Sequence, residues 1–200
     1  MDVRRRDLVA SVAVLATSFV LGGATSWAQG VLPDSAAPFA NSASGWRNLT
    51  ALLLWVARME TPGSAILGAG SFLGQVLGYT AASALRDTTY DPTKFGLIAV
   101  VVGPVIGVAV ASLRGSGWRL ALATSALAGV VIGEAVYGLT VVADTTSPVY
   151  WTVVGVLGLA LVVVETVRQR SEPVPAAAGV GLTAVVAAVF VGAYRAVGGI

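Results

Sequence analysis

The chain has 200 residues, 56% of them hydrophobic and 11% charged, with a mean hydropathy of +0.83; that balance excludes an ordinary soluble domain and makes lipid the solvent. It contains no Cys and no His, which excludes disulfide scaffolds and thiolate metal sites and removes the commonest metal ligand and general base. The net charge of +2 is spread over short loops, so no basic patch points to nucleic acid, and no cofactor is implied.

The first element is the apolar run Leu8–Ala28, preceded by Arg4, Arg5 and Arg6. With Ser26-Trp27-Ala28 at its end it has the layout of a twin-arginine or Sec signal, but further membrane segments follow, so a retained first helix with an inner arginine anchor is expected. The polar stretch Gln29–Gly45, with Pro33, Asp34, Pro38, Asn41, Ser42 and Ser44, reads as an outer loop with turns.

Next comes Trp46–Ala57, whose apolar part is short. It is expected to start a helix near Ser42 or Ser44 and to let Arg47 snorkel to the outer interface. Loop charge decides whether it crosses. If it does, Arg4, Arg5, Arg6, Arg58, Arg114, Arg119, Arg168 and Arg170 share one side, eight basic residues against the four of Arg47, Arg86, Lys94 and Arg195; otherwise the balance is six against six. Seven spans with the N terminus inside are therefore predicted.

The remaining elements are Pro62–Leu85, Phe95–Leu113, Leu120–Val142, Val149–Val167 and Ala176–Tyr194, each near the ~20 residues that cross a bilayer core. The expected fold is all-α, a polytopic transmembrane helix bundle of six full spans plus one short one, forming a single integral membrane domain over residues 1–200. None of the connecting segments is long enough for a soluble domain. Small residues recur every fourth position at Gly70, Gly74, Gly78 and Ala82, at Gly103, Gly107 and Ala111, and at Ser125, Gly129 and Gly133. Such faces let helix backbones approach closely in lipid.

Two of these helices are alike in more than glycine. Gly70–Tyr79 aligns with Gly129–Gly138, placing Gln75 against Glu134, and both helices exit into Asp-Thr-Thr followed by proline: Asp87-Thr88-Thr89 before Pro92, and Asp144-Thr145-Thr146 before Pro148. The pattern suggests a parallel helical-hairpin repeat, 62–113 and 118–168. On that reading Gln75 and Glu134 occupy equivalent depths, about 18 Å from Asp87 and about 15 Å from Asp144 along their helices.

Glu134 is the best candidate for function. A carboxylate deep in an apolar helix costs about 2.5–3.5 kcal/mol on insertion scales, so it faces protein or a wet cavity. It can be a hydrogen-bonded structural acid, a ligand-binding carboxylate or a proton carrier. Tyr137, three residues on, and Tyr79, four after Gln75, line the same faces or belong to the aromatic belt. Tyr150, Trp151, Trp46 and Trp27 read as belt residues, and Glu165 with Arg168 as a surface ion pair. The candidate ligand-binding set is Glu134, Gln75, Tyr137, Tyr79 and Asp144. An enzyme is not expected: an acid–base pair of Glu134 and Asp144 would stand without His, Cys or a recognisable motif.

The motifs Gln29-Gly30-Val31-Leu32-Pro33, Gly103-Pro104-Val105-Ile106-Gly107, Gly133–Thr140 and Asp144–Trp151 resemble a family of small polytopic membrane proteins from actinobacteria known as a domain of unknown function. The resemblance runs from the first helix to the sixth and implies no activity. In size and polarity the chain is also similar to the substrate-binding subunits of energy-coupling-factor transporters, which implies an outward-facing solute site. The expected partners are the lipid bilayer of a prokaryotic plasma membrane, a small-molecule solute, and a membrane-protein partner or a second copy. The rival expectation is a structural or interaction subunit with no solute site.

Overall fold

The computed structural model describes residues 3–33, 36–42, 44–144 and 146–196. Of the residues singled out above, Asp34 and Thr145 lie outside the described residues, as do the side chains of Arg4 and Asn41. The helices are α1 (Val3–Val31), α2 (Pro38–Asn41), α3 (Gly45–Ala57), α4 (Thr61–Ala84), α5 (Thr93–Ser112), α6 (Gly117–Thr140), α7 (Pro148–Arg168) and α8 (Pro173–Ala196), with no strand among the described residues. Six of them, all but α2 and α3, are long and apolar enough to cross a membrane.

Local chemistry sets the boundaries. Pro62 and Pro148 sit in the first turns of α4 and α7, where a missing N–H costs nothing. The Ser147 hydroxyl accepts from Val149 N at 3.4 Å, and the Asp91 carboxylate accepts from Thr93 N at 2.9 Å to cap α5. Ser44 directly precedes α3, as expected, but its side chain makes no capping hydrogen bond.

The chain divides into two compact units, Met1–Pro33 with Ala40–Ala111, and Asp34–Phe39 with Ser112–Ile200. In the first, α1 and α4 lie side by side and parallel. Ser18 and Ser71 hydroxyls meet at 2.7 Å, and Ser26 and Ser83 at 2.9 Å; both partners advance in the same direction along their helices. Between these rungs a Cβ on Gly22 would collide with the backbone of Gln75, and one on Gly78 with the carbonyl of Phe19. The ends are tied by Arg86, which donates to the carbonyl of Ser26, to its hydroxyl at 3.2 Å, and lies 5.6 Å over the Trp27 ring.

Parallel neighbours require a return path, and α3 supplies it. Its start lies beside Gln75, through a Gln75 Nε2 bond to Trp46 O at 3.2 Å, and its end shares a groove with Arg6 at the beginning of α1. The thirteen residues of α3 cover about 20 Å, two thirds of the ~30 Å hydrocarbon core. Its contacts make it run back antiparallel to α1 and α4. α5 descends α4 in the opposite sense, with Gly107 against Ser64 and Gly103 against Gly68.

The second unit has a like parallel pair. On α6, Ser125 donates to Gly179 O of α8 at 3.0 Å, Gly129 faces Thr183 and Val186, and Gly133 faces Ala187 and Phe190. α7 runs antiparallel to α6, with Gly158 on Ile132, Gly155 on Ala135 and Trp151 on Gly138.

Candidate functional site

In the first unit the candidate residues form a buried polar chain. Gln75 is fully buried and donates through Nε2 to the Thr50 hydroxyl at 2.8 Å as well as to Trp46 O. Thr50 accepts in turn from Ser71 at 3.4 Å, and Ser71 is bonded to Ser18. Three helices thus meet in one hydrogen-bonded run. Its Nε2 end is satisfied; its other end is not, because Gln75 Oε1 is buried and meets no donor among the described residues. A buried amide oxygen left this way costs about 1–3 kcal/mol.

An aromatic cluster stands beside this chain. Trp46 packs edge-on against Phe72, Tyr79 and Phe95, with centroids 6.3, 5.4 and 5.6 Å away, and Tyr79 packs edge-on against Tyr90 at 4.6 Å. The Tyr79 hydroxyl donates to Gln29 Oε1, and Gln29 Nε2 donates to Ala40 O at 2.9 Å. Tyr79 is therefore bound into the unit. Tyr90 lies in the loop before α5, with its phenol pushed up to about 12, first by burial, then by Tyr79 and Asp91.

The second unit holds the carboxylate. Glu134 is 2% and Tyr137 8% exposed. Across from them on α8, the Tyr194 ring meets Tyr137 edge-on at 4.9 Å and stacks on Phe190 at 5.1 Å. Glu134 is close enough to act electrostatically on the Tyr194 phenol. Gly133 lets α8 approach at this level: a Cβ there would lie 2.8 Å from Ala187 O. Asp144 stands exposed in the turn after α6.

The structure thus places Gln75 and Tyr79 in the first unit, and Glu134, Tyr137 and Asp144 in the second. Residues 1–199 match a family of unknown function, DUF6518. The chain belongs to that family. No curated protein and no solved structure matches this DUF6518 chain. The match reaches further than the first-to-sixth-helix resemblance read from the motifs.

Four details of the DUF6518 chain correct the sequence reading. Arg47 is 7% exposed, inside the protein rather than at the interface, and one of its amino groups donates to Asn48 Oδ1 at 2.9 Å. Tyr150 and Trp151 are buried with Val154, not belt residues, and the indole N–H donates to the Thr146 hydroxyl at 2.9 Å. Tyr137 is buried, which removes its belt reading. Glu165 is buried while its partner Arg168, 2.8 Å away, also donates to Leu113 O at 2.9 Å, so the pair ties a loop carbonyl instead of decorating the surface. The residues that sequence reasoning missed are Thr50, Ser71 and Ser18 around Gln75, and Tyr194 and Phe190 around Glu134. Among the described residues no cluster of three acidic side chains is placed to hold a metal.

Proposed function

We propose that this multi-pass membrane protein binds or passes a small polar solute across a prokaryotic plasma membrane, rather than catalysing a reaction. The observation that carries this reading is Gln75: a fully buried amide in a membrane helix, anchored by both bonds of its nitrogen and presenting an oxygen that meets no donor among the described residues. An acceptor held in one orientation suits a ligand O–H or N–H, because the ordering cost has already been met by the fold. Glu134 with Tyr137 and Tyr194 is a second buried polar cluster, whose carboxylate has the chemistry for a cationic or hydroxylated group.

A specific observation favours the rival reading of a structural or interaction subunit. The edge-on contacts of Trp46 with three neighbouring rings are those of a packed core, and the Ser18–Ser71–Thr50 run ties three helices together. The deciding experiment is thermal stabilisation of the detergent-purified protein across a metabolite and vitamin library, with Gln75→Met and Glu134→Gln alongside wild type. The expected result is a ligand whose stabilising shift is lost in at least one variant. A complete absence of hits, or hits untouched by both substitutions, overturns the solute reading in favour of the structural one.

A further inference from the structure

The first unit carries a groove that none of these polar centres uses. It opens between α1 and α3, encloses about 590 Å³, and is walled by Ala10, Ala13 and Val14 on one side and Leu52, Leu53 and Val56 on the other. Alanines at two successive contact positions of α1 leave the space; larger side chains there would close it. At one end the groove finishes on Arg6 and Arg58, and at the other it reaches Thr17.

Its length matches a lipid monolayer. From Arg6 to Thr17 is eleven residues, about 16 Å along the helix, against the ~15 Å that is half of a ~30 Å hydrocarbon core. Its charge is arranged as a lipid's is, with apolar walls along the length and guanidinium groups only at the headgroup end. Arg58 is exposed and sits in the left-handed region, φ 54°, at the point where α3 stops. That conformation ends the helix beside the start of α1. Among the described residues Arg6 is engaged only by Asp7, its sequence neighbour, at 3.0 Å with both side chains solvent-accessible. An exposed pair of this kind holds its partners weakly and yields to a stronger anion.

We infer that this groove is a binding site for one anionic glycerophospholipid, an acyl chain lying between α1 and α3 and the phosphate held by Arg58 and Arg6. Guanidinium groups suit this role because they grip phosphate oxygens bidentately, and basic clefts between membrane helices take anionic headgroups on the same physical basis. The site is independent of the solute reading, since none of its walls belongs to the Gln75 or Glu134 centres.

The test is lipid retention by the full-length protein in detergent, read by native mass spectrometry after titration with phosphatidylglycerol or phosphatidylcholine of the same acyl composition. One arginine near a lipid surface favours an anionic lipid by about five-fold, so wild type retains phosphatidylglycerol over phosphatidylcholine by at least that ratio, and less so as salt is raised. The Arg6→Gln/Arg58→Asn variant brings the ratio to near one; Asn is chosen because it tolerates the left-handed conformation. Ala13→Phe fills the groove and lowers retention of both lipids, which keeps the test open if the double variant folds poorly. Equal retention of the two lipids by wild type, a preference that survives the double variant, or a lipid-free dimer in which a second copy fills the groove overturns the assignment.

Discussion

Gln75 shows how a single side chain separates a binding role from a packing role. Replacing it with Met removes two donated hydrogen bonds, each about 0.6 kcal/mol inside a membrane protein, and also removes a buried acceptor with no donor, worth about 1–3 kcal/mol in the other direction. The expected stability of Gln75→Met therefore lies between that of wild type and about 2 kcal/mol above it, measured by thermal unfolding in detergent; a loss of several kcal/mol would identify the amide as structural cement. Tyr90 gives a pH signature. Its neutral phenol is stabilised in the fold, so its contribution is complete below the ordinary value of 10 and is lost as pH rises through about 12. A tyrosinate absorbance titration is expected to lose one late-ionising phenol in Tyr90→Phe. The burial of Glu134 was legible because a carboxylate in an apolar run must face protein or a wet cavity, whatever its role. Tyr194 was not, because its partnership with Tyr137 crosses from α6 to α8 and no local spacing encodes which helices touch. Arg47 was misplaced for a related reason: a short helix end looks like an interface until the segments around it are seen to bury it.

The helices themselves were written plainly in the chain. Long apolar runs have few alternatives in lipid, since every backbone polar group must be satisfied within the segment, and the expected boundaries fall close to the observed ones. The largest differences are at α1, which begins at Val3 and continues to Val31 because the flanking arginines and Gln29 remain helical beyond the apolar stretch. What sequence could not provide was the partner of each small-residue face. Gly74 and Gly78 turn to α1, Gly103 and Gly107 to α4, and Gly129 and Gly133 to α8. The contacts rank themselves energetically. Gly78→Leu places bulk into the backbone of Phe19 and is expected to cost at least the ~1–3 kcal/mol of overpacking, whereas Ser18→Ala removes one interhelical hydroxyl bond, to Ser71, and is expected to cost about 0.6 kcal/mol. Chemical or thermal unfolding of the two variants side by side checks the order; equal losses would show that hydrogen bonds, not close approach, hold α1 to α4.

At the level of the molecule, six helices are long and apolar enough to cross a membrane, and the parallel α1–α4 pair with the short α3 running back between them makes α3 the segment on which the threading turns. Because the chain contains no Cys, any introduced thiol is the sole target for a membrane-impermeant reagent. Cysteines at Asp7 and Glu60 are expected to react from one face of the membrane and a cysteine at Asp91 from the other; labelling of Asp7 and Glu60 from opposite faces would remove α3 as a span.

The rungs between α1 and α4 join residues 53 and 57 positions apart in sequence. At the ~5–20 residues per second of synthesis, Ser18 and Ser26 are made roughly 3–10 s before the serines they bond. During that interval α1 resides in the translocation machinery or in lipid with a small-residue face exposed, and α3 must turn back before α4 can cover it. Assembly of the first unit is thus timed by the ribosome: a nascent chain halted ahead of Ser71 leaves a half-finished helix pair, the form that chaperones or quality-control proteases of the membrane would meet first.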